Sequence, residues 1–127
     1  MLVKSYEELD VYKLAFELQQ RIFEVSKGFP SEEKYSLTDQ IRRSSRAVGA
    51  NIAEAWAKRR YIAHFIAKLT DSDGEQQETR HWLRTAYKCE YIDEKTHKKL
   101  SDQYSELGAK LGKMMANADK WCAGYPV

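Results

Sequence analysis

The chain has few of the residues that interrupt helices or cross-link a fold. Its 127 residues include only two prolines, six glycines and two cysteines. The cysteines, Cys89 and Cys122, fall near the carboxyl ends of two predicted antiparallel helices. They would therefore lie at opposite ends of a helical rod, beyond the roughly 7 Å between Cα atoms that a disulfide allows. We expect two reduced thiols and a cytoplasmic protein.

Long apolar runs and a strong net charge are also lacking. No run approaches the ~18 apolar residues of a membrane span, so we expect no membrane partner. The first eight residues lack an apolar core and carry acids early, unlike a secretory signal. The net charge of +2 is too mild to indicate nucleic acid by itself. We find no Ser-His-Asp or Cys-His arrangement, Gly-rich phosphate loop or zinc spacing, so we expect no enzyme and no cofactor.

What the chain does contain is helical periodicity. Apolar residues alternate at spacings of four and three in four segments, which predicts helices at about residues 6–27, 37–59, 61–89 and 93–121. Capping residues are predicted for three of them: Ser5 with Glu8, Ser36 with Asp39, and Asp93. Gly28 and Pro30 end the first helix, and the tail from residue 123 is expected to fray. The pattern predicts a single all-α domain over 1–127, an antiparallel up-down-up-down four-helix bundle.

The middle of the third helix is polar on every side. Between Thr70 and Glu78 it includes Gly74, which costs roughly 1 kcal/mol relative to alanine in a helix interior. Two short helices are one interpretation. We favour one continuous helix, because the four-three spacing stays in phase across the polar segment.

The second helix carries small and polar residues between 40 and 55. When it is laid antiparallel against the third helix, its polar positions meet that polar middle. We predict a buried polar layer made by these residues: Asn51, Glu54, Ser72, Gln76 and Glu78. Its members must be hydrogen-bonded to one another, or they destabilise the core.

Basic residues of the second helix are the candidate nucleic-acid contacts: Arg42, Arg43, Arg46, Lys58, Arg59 and Arg60. Two interpretations stay open for them. The arginines can pair with nearby acids, and the last three residues can complement the negative end of the helix dipole. Alternatively they bind phosphates, with the adjacent Tyr61 stacking on a base.

Two Glu-x-x-His pairs require a comparison with di-iron bundles. Glu78 with His81 lies about two turns before the end of its helix, and Glu94 with His97 lies in the first turn of the next. Such pairs should sit at mid-bundle on facing sides, so we predict no metal site.

Four motifs resemble one bacterial family, the four-helix-bundle proteins first noticed as reading frames inside intervening sequences of 23S ribosomal RNA genes. The resemblance covers about Tyr6 to Leu111. The motifs are Tyr6-x-x-Leu9-x-Val11-Tyr12-x-x-Ala15; Phe29-Pro30 with Glu33-x-Tyr35-x-Leu37; Gln40-Ile41-Arg42-Arg43 continuing to Asn51-Ile52-Ala53-Glu54; and Glu78-Thr79-x-x-Trp82-Leu83 with Cys89-x-Tyr91-Ile92. The chain departs from the family at Ala55, where glycine is usual.

The resemblance implies a homo-oligomeric ring, a pentamer, without an established activity. Related bundles, the accessory proteins of diversity-generating retroelements, bind RNA and a reverse transcriptase through a basic surface. By that analogy we expect a non-enzymatic oligomer that binds RNA, DNA or a ribonucleoprotein. The alternatives are a structural adaptor that binds another protein, which needs exposed aromatic residues, and an enzyme, which needs a pocket with perturbed titratable groups.

Overall fold

Four long helices make up most of the chain. The computed structural model describes residues 3–125, so residues 1, 2, 126 and 127 of the predicted domain and tail lie outside it. The helices are α1 (Asp10–Ser26), α2 (Leu37–Ala57), α3 (Ile62–Lys88) and α4 (Glu94–Ala116), followed by the five-residue α5 (Ala118–Cys122). The described residues contain no strand, which confirms the all-helical prediction. None of the described helices has both the length and the apolar character of a membrane span.

The core follows the predicted four-three spacing. Ala15, Leu18 and Ile22 of α1 are completely buried, as are Val48 and Ile52 of α2. The most extensive packing is between α2 and α3; α1 packs on α2, and α4 on α3. The α1–α4 pair makes far fewer contacts, which leaves one side of the helix assembly comparatively open.

Helix α3 is continuous through its polar middle, as predicted from the unbroken phase. Ser72, Gln76 and Thr79 occupy seam positions and are buried despite their polarity. Ser72 Oγ donates a hydrogen bond of 2.8 Å to the carbonyl of Val48 on α2. Thr79 likewise meets Ser44 of α2, whereas Gln76 donates to Asp73 within α3 and its Oε1 has no partner among the described residues. Because α2 satisfies two of the three side chains, the polar seam is buried without breaking the helix.

Helix α1 begins at Asp10, four residues later than predicted. The Ser5–Glu8 capping box forms, but it caps a 3-10 turn over Tyr6–Glu8. Leu9 then adopts an extended backbone and is buried. A capping box satisfies the free N–H groups of a single turn as well as those of a long helix, so the pattern did not locate the start of α1.

Glu33 caps helix α2 in place of the predicted Ser36–Asp39 pair. Ser36 Oγ makes no capping bond and instead donates to Glu33 Oε1 at 2.6 Å. The N–H of Leu37 donates to the same oxygen at 3.3 Å, and the hydroxyl of Tyr91 donates to Glu33 Oε2 at 2.8 Å. The hydrogen bonds from Ser36 and Tyr91 lower the pKa of Glu33. This carboxylate therefore ties the start of α2 to the α3–α4 turn.

The carboxyl end of the chain also differs from the prediction. Helix α4 ends at Ala116 rather than near residue 121, because Asn117 follows it and turns its side-chain amide back to the carbonyl of Lys113. After α5, the hydroxyl of Tyr125 donates to the carbonyl of Ala57 at 3.3 Å. The described part of the tail is thus held against the end of α2, contrary to the expected fraying. Asp93 caps α4 as predicted, with its side chain accepting from the N–H of Thr96.

Candidate nucleic-acid interface

A layer of hydroxyl groups joins α2 to α3. Ser44 Oγ and Thr79 Oγ1 are 2.8 Å apart and completely buried. Thr79 Oγ1 donates to the carbonyl of Glu75, so it can accept from Ser44. Gln76 is also buried, and its amide nitrogen donates to Asp73 Oδ1 at 2.9 Å. Partner numbers on α3 fall as numbers on α2 rise, from Ser44 with Thr79 to Val48 with Ser72.

The buried layer contains fewer of the predicted residues than expected. Ser72 and Gln76 belong to it, whereas Asn51 and Glu78 are half-buried and Glu54 has a side chain that is 54% exposed. Glu54 therefore does not belong to the buried layer, and its predicted burial was wrong. It lies off the apolar seam, where it pairs with Lys68 at 2.5 Å, and the hydrogen bond from that lysine lowers the pKa of Glu54.

Asn51 and Glu78 have partners at the edge of the layer. Asn51 donates to the carbonyl of Ala47 in its own helix and accepts from Lys68. Glu78 accepts from the Trp82 indole at 3.0 Å and from Arg43. Burial raises the pKa of Glu78, but these two hydrogen bonds outweigh it, so the net shift is downward.

The arginines of α2 are largely engaged within the fold. Arg43 forms ion pairs with Glu75 and Glu78 of α3, which raise its pKa. Arg42 Nε donates to Ser26 Oγ at 2.8 Å, and its guanidinium lies 4.8 Å from the centre of the Phe23 ring. Arg46 is more exposed, and its guanidinium lies 5.8 Å from the same ring. The structure thus favours an intramolecular role for Arg42 and Arg43.

The basic triplet after Ala57 divides into two kinds of residue. Arg59 Nε donates to the carbonyl of Trp56 at 2.7 Å, and its guanidinium lies 3.5 Å from the Trp56 ring centre and 4.9 Å from that of Tyr125. Burial in this stack lowers the pKa of Arg59. Arg59 is therefore half-buried and packed against aromatic rings, not at an exposed helix end as predicted. Lys58 and Arg60 are exposed, and neither forms a salt bridge with another described residue.

Exposed apolar side chains adjoin these two free cations. Tyr61 is 58% exposed and Ile62 is 45% exposed. The His64 imidazole packs edge-on to the Tyr61 ring, with centroids 5.2 Å apart. The α2–α3 turn therefore presents Lys58, Arg60 and an accessible aromatic ring together. Phosphate binding with base stacking uses such a combination.

Three of the four residues considered for a metal site make other contacts. Glu78 accepts from Arg43 and Trp82, as described above. The His81 ring packs on Trp82, and the His97 ring stacks on Tyr87 at 4.8 Å with planes 3° apart. Within residues 3–125, no three His, Cys, Asp or Glu side chains are grouped to hold a metal ion.

Sequence reasoning missed three organising contacts. Trp56 and Arg59 are three residues apart on one helical turn, a spacing that could have indicated their contact. Tyr125 stacks on the same guanidinium from the far end of the chain, and no local pattern indicates it. The Glu33–Tyr91 hydrogen bond is likewise long-range, although both residues belong to the motifs that carry the family resemblance.

Comparisons with known proteins agree with the helical architecture. A family model described as 23S rRNA-intervening sequence protein matches residues 7–113. A crystal structure from Bacteroides thetaiotaomicron VPI-5482, titled a protein with unknown function from the S23 ribosomal protein family, is 30% identical to the chain. The match covers 83% of this chain and 97% of that chain, with a TM-score of 0.75. Neither description names a reaction. Comparison with the curated proteins gives no match.

Proposed function

Because the chain belongs to the family of 23S rRNA-intervening sequence proteins, we propose that it is a non-catalytic, oligomeric bundle that binds RNA. The proposal includes an antiparallel up-down-up-down arrangement, a homo-oligomeric ring of five copies as the resemblance implies, and a cytoplasmic location. The family description and the neighbour's title both refer to ribosomal components, which favours RNA over duplex DNA as the first nucleic acid to test.

The observation that carries the proposal is the unpaired charge at the α2–α3 turn. Lys58 and Arg60 are exposed without a carboxylate partner among the described residues, beside the accessible ring of Tyr61. The turn has no recognition helix or other groove-reading motif. We therefore infer that binding is mainly to phosphates, with little sequence preference.

Assembly would strengthen this modest charge. Two free cations at one turn bind a polyanion weakly. A ring of identical subunits repeats the pair around one rim, so that the local field is several times that of one copy. Affinity should then fall steeply with salt, because bound phosphates release counterions.

The test is a fluorescence-anisotropy titration of wild type and Lys58→Ala/Arg60→Ala with a structured RNA and a DNA duplex at about 50 mM salt. We expect the variant to bind RNA at least tenfold more weakly, with a shallower salt dependence and an unchanged melting temperature. Lys27→Ala/Lys98→Ala is the matched control, since it removes the same charge from exposed lysines that are paired with Glu24 and Asp102.

Equal binding by wild type and the Lys58/Arg60 variant would refute the assignment to this turn. No binding by wild type would refute RNA binding itself and would favour the adaptor function, for which Tyr61 and Ile62 are exposed apolar side chains at this turn. If the control variant weakened binding equally, net charge rather than the turn would be responsible.

A further inference from the structure

Two open cavities lie between α1 and α4, the helix pair with sparse packing. One, of about 870 Å³, lies beside the second half of α1, and the other, of about 720 Å³, lies beside its start. Both have an apolar floor, which includes Phe16 and Leu100 in the first and Leu9, Val11 and Met114 in the second. We call them together the α1–α4 groove. Phe16 is 46% exposed there, so a large aromatic ring remains in contact with water.

The α1 side of the groove is acidic. Its acids are Glu8, Asp10, Glu17 and Glu24. The last three recur at a spacing of seven, which returns to the same face of a helix. The basic residue that lines this side is Arg21, and its guanidinium is directed to Gln103 on α4 with a hydrogen bond of 3.2 Å.

The opposite side of the groove is basic. Its charged residues are Lys95, Lys99, Lys110, Lys113 and Lys120. The α1 acids and these lysines line the same cavities at the same level, with Glu17 and Glu24 facing Lys95 and Lys99 across one of them. Among the described residues, no acid of the α1 side forms a salt bridge with a lysine of the other side. The groove holds the two rows of charge apart.

This pattern restricts what can occupy the groove. A nucleic acid or an anionic membrane would be attracted to the lysines and repelled by the acidic row beside them. A fitting partner has an apolar surface flanked by charges of both signs, in the opposite order. The chain itself presents that surface. When two copies meet with their helices parallel, the acidic α1 row of one lies against the lysine row of the other at the same level.

The geometry points to the α1–α4 groove as the contact between copies of this chain. In that contact the α1 acids of one copy face the α4 lysines of the next, and Phe16 is covered. The arrangement suits a closed ring with its axis along the helices, in which the α1 side of each copy meets the α4 side of the next. The inference rests on the proposed oligomer and specifies its interface. It leaves the α2–α3 turn exposed on every copy.

The test uses charge reversal with light scattering at micromolar concentration. Lys95→Glu/Lys99→Glu makes both sides of one cavity acidic, and Glu17→Lys/Glu24→Lys makes both sides basic. We expect each double variant to associate at least tenfold more weakly than wild type. The quadruple variant that combines all four changes reverses both rows and should regain the wild-type mass, whatever the number of copies.

The control is Lys13→Glu/Lys98→Glu, which changes the same net charge on exposed residues of α1 and α4 outside the groove lining. It should keep the wild-type mass, and circular dichroism should show all variants folded. A wild-type mass of 14.8 kDa would refute the proposed oligomer itself. An oligomeric wild type with unaffected double variants, or a quadruple variant that stays dissociated, would refute this interface while leaving the oligomer intact.

Discussion

Gly108 is the position where a single added methyl group should test the polar layer. This residue of α4 lies against the buried end of Gln76 on α3. A Cβ atom at Gly108 would lie 2.7 Å from Gln76 Nε2 and 3.4 Å from Asp73 Oδ1. Gly74 and Gly112, also within long helices, have nothing within 4 Å of an added Cβ. The chain therefore contains both the test and its matched controls.

Replacing Gly108 by alanine has two effects on the free energy of unfolding, which have comparable size and opposite sign. In a helix interior, alanine is favoured over glycine by about 1 kcal/mol. Gly74→Ala and Gly112→Ala should therefore raise the free energy of unfolding by about 0.5–1 kcal/mol. At Gly108 the new methyl group must displace the Gln76 amide, which breaks its 2.9 Å bond to Asp73. Leaving that buried amide unpaired costs about 1–3 kcal/mol, so Gly108→Ala should be neutral to destabilising by about 2 kcal/mol.

The assay is urea unfolding followed by circular dichroism, at one protein concentration and with the slope compared between variants. In a Gln76→Ala background the obstruction is gone, so Gly108→Ala should recover the stabilising effect of about 1 kcal/mol. The coupling between the two sites should then be about 1–3 kcal/mol. The reasoning is wrong if Gly108→Ala stabilises as much as Gly112→Ala, or if its effect is the same with and without Gln76.

Three further predictions concern other contacts. Ser44→Ala and Thr79→Val should each lower the free energy of unfolding by about 1 kcal/mol in urea titrations, and the double variant should lose less than the sum. Arg59→Ala should lower it by about 1–3 kcal/mol, since a carbonyl hydrogen bond and two cation–π contacts are lost; an unchanged melting curve would contradict that packing role. The pKa of Glu33 is lowered and that of Tyr91 is raised to about 12. The stability supplied by their contact is therefore complete between the ordinary values of about 4.5 and 10. It should decline as pH falls through the lowered pKa of Glu33, and as pH rises from about 10 towards 12. Tyr91→Phe should make the alkaline decline in thermal melts smaller, while the part due to buried Tyr104, whose pKa burial also raises, remains.

Local patterns predicted the long helices and most of their ends, but not the start of α1 or the end of α4. The four-three spacing identified every long helix, including the unbroken α3, because one buried face is enough to set the period. The start of α1 and the capping residue of α2 were wrongly predicted for a physical reason. Capping depends on which side chain reaches the free N–H groups, and at α2 that is Glu33, held in place by Tyr91 from the α3–α4 turn.

At the candidate nucleic-acid interface, too, local patterns predicted the residue types and tertiary packing decided their roles. Arginine and lysine look alike in a sequence as potential phosphate contacts, and only packing separates them. Arg43 is neutralised by two acids of α3, and Arg59 is held between two aromatic rings, one of them contributed by the tail. Lys58 and Arg60 remain exposed, and neither forms a salt bridge with another described residue.

By itself, the sequence determined the all-helical class, the number of long helices and the membership of the family. Those properties depend on periodicity and on motifs that are local in the chain. Tertiary structure alone decided which polar groups are buried, which cations remain free, and that acidic and basic rows face each other across the α1–α4 groove. Each of these depends on residues distant in sequence meeting in space, and on whether a partner satisfies a charge or a hydrogen bond there.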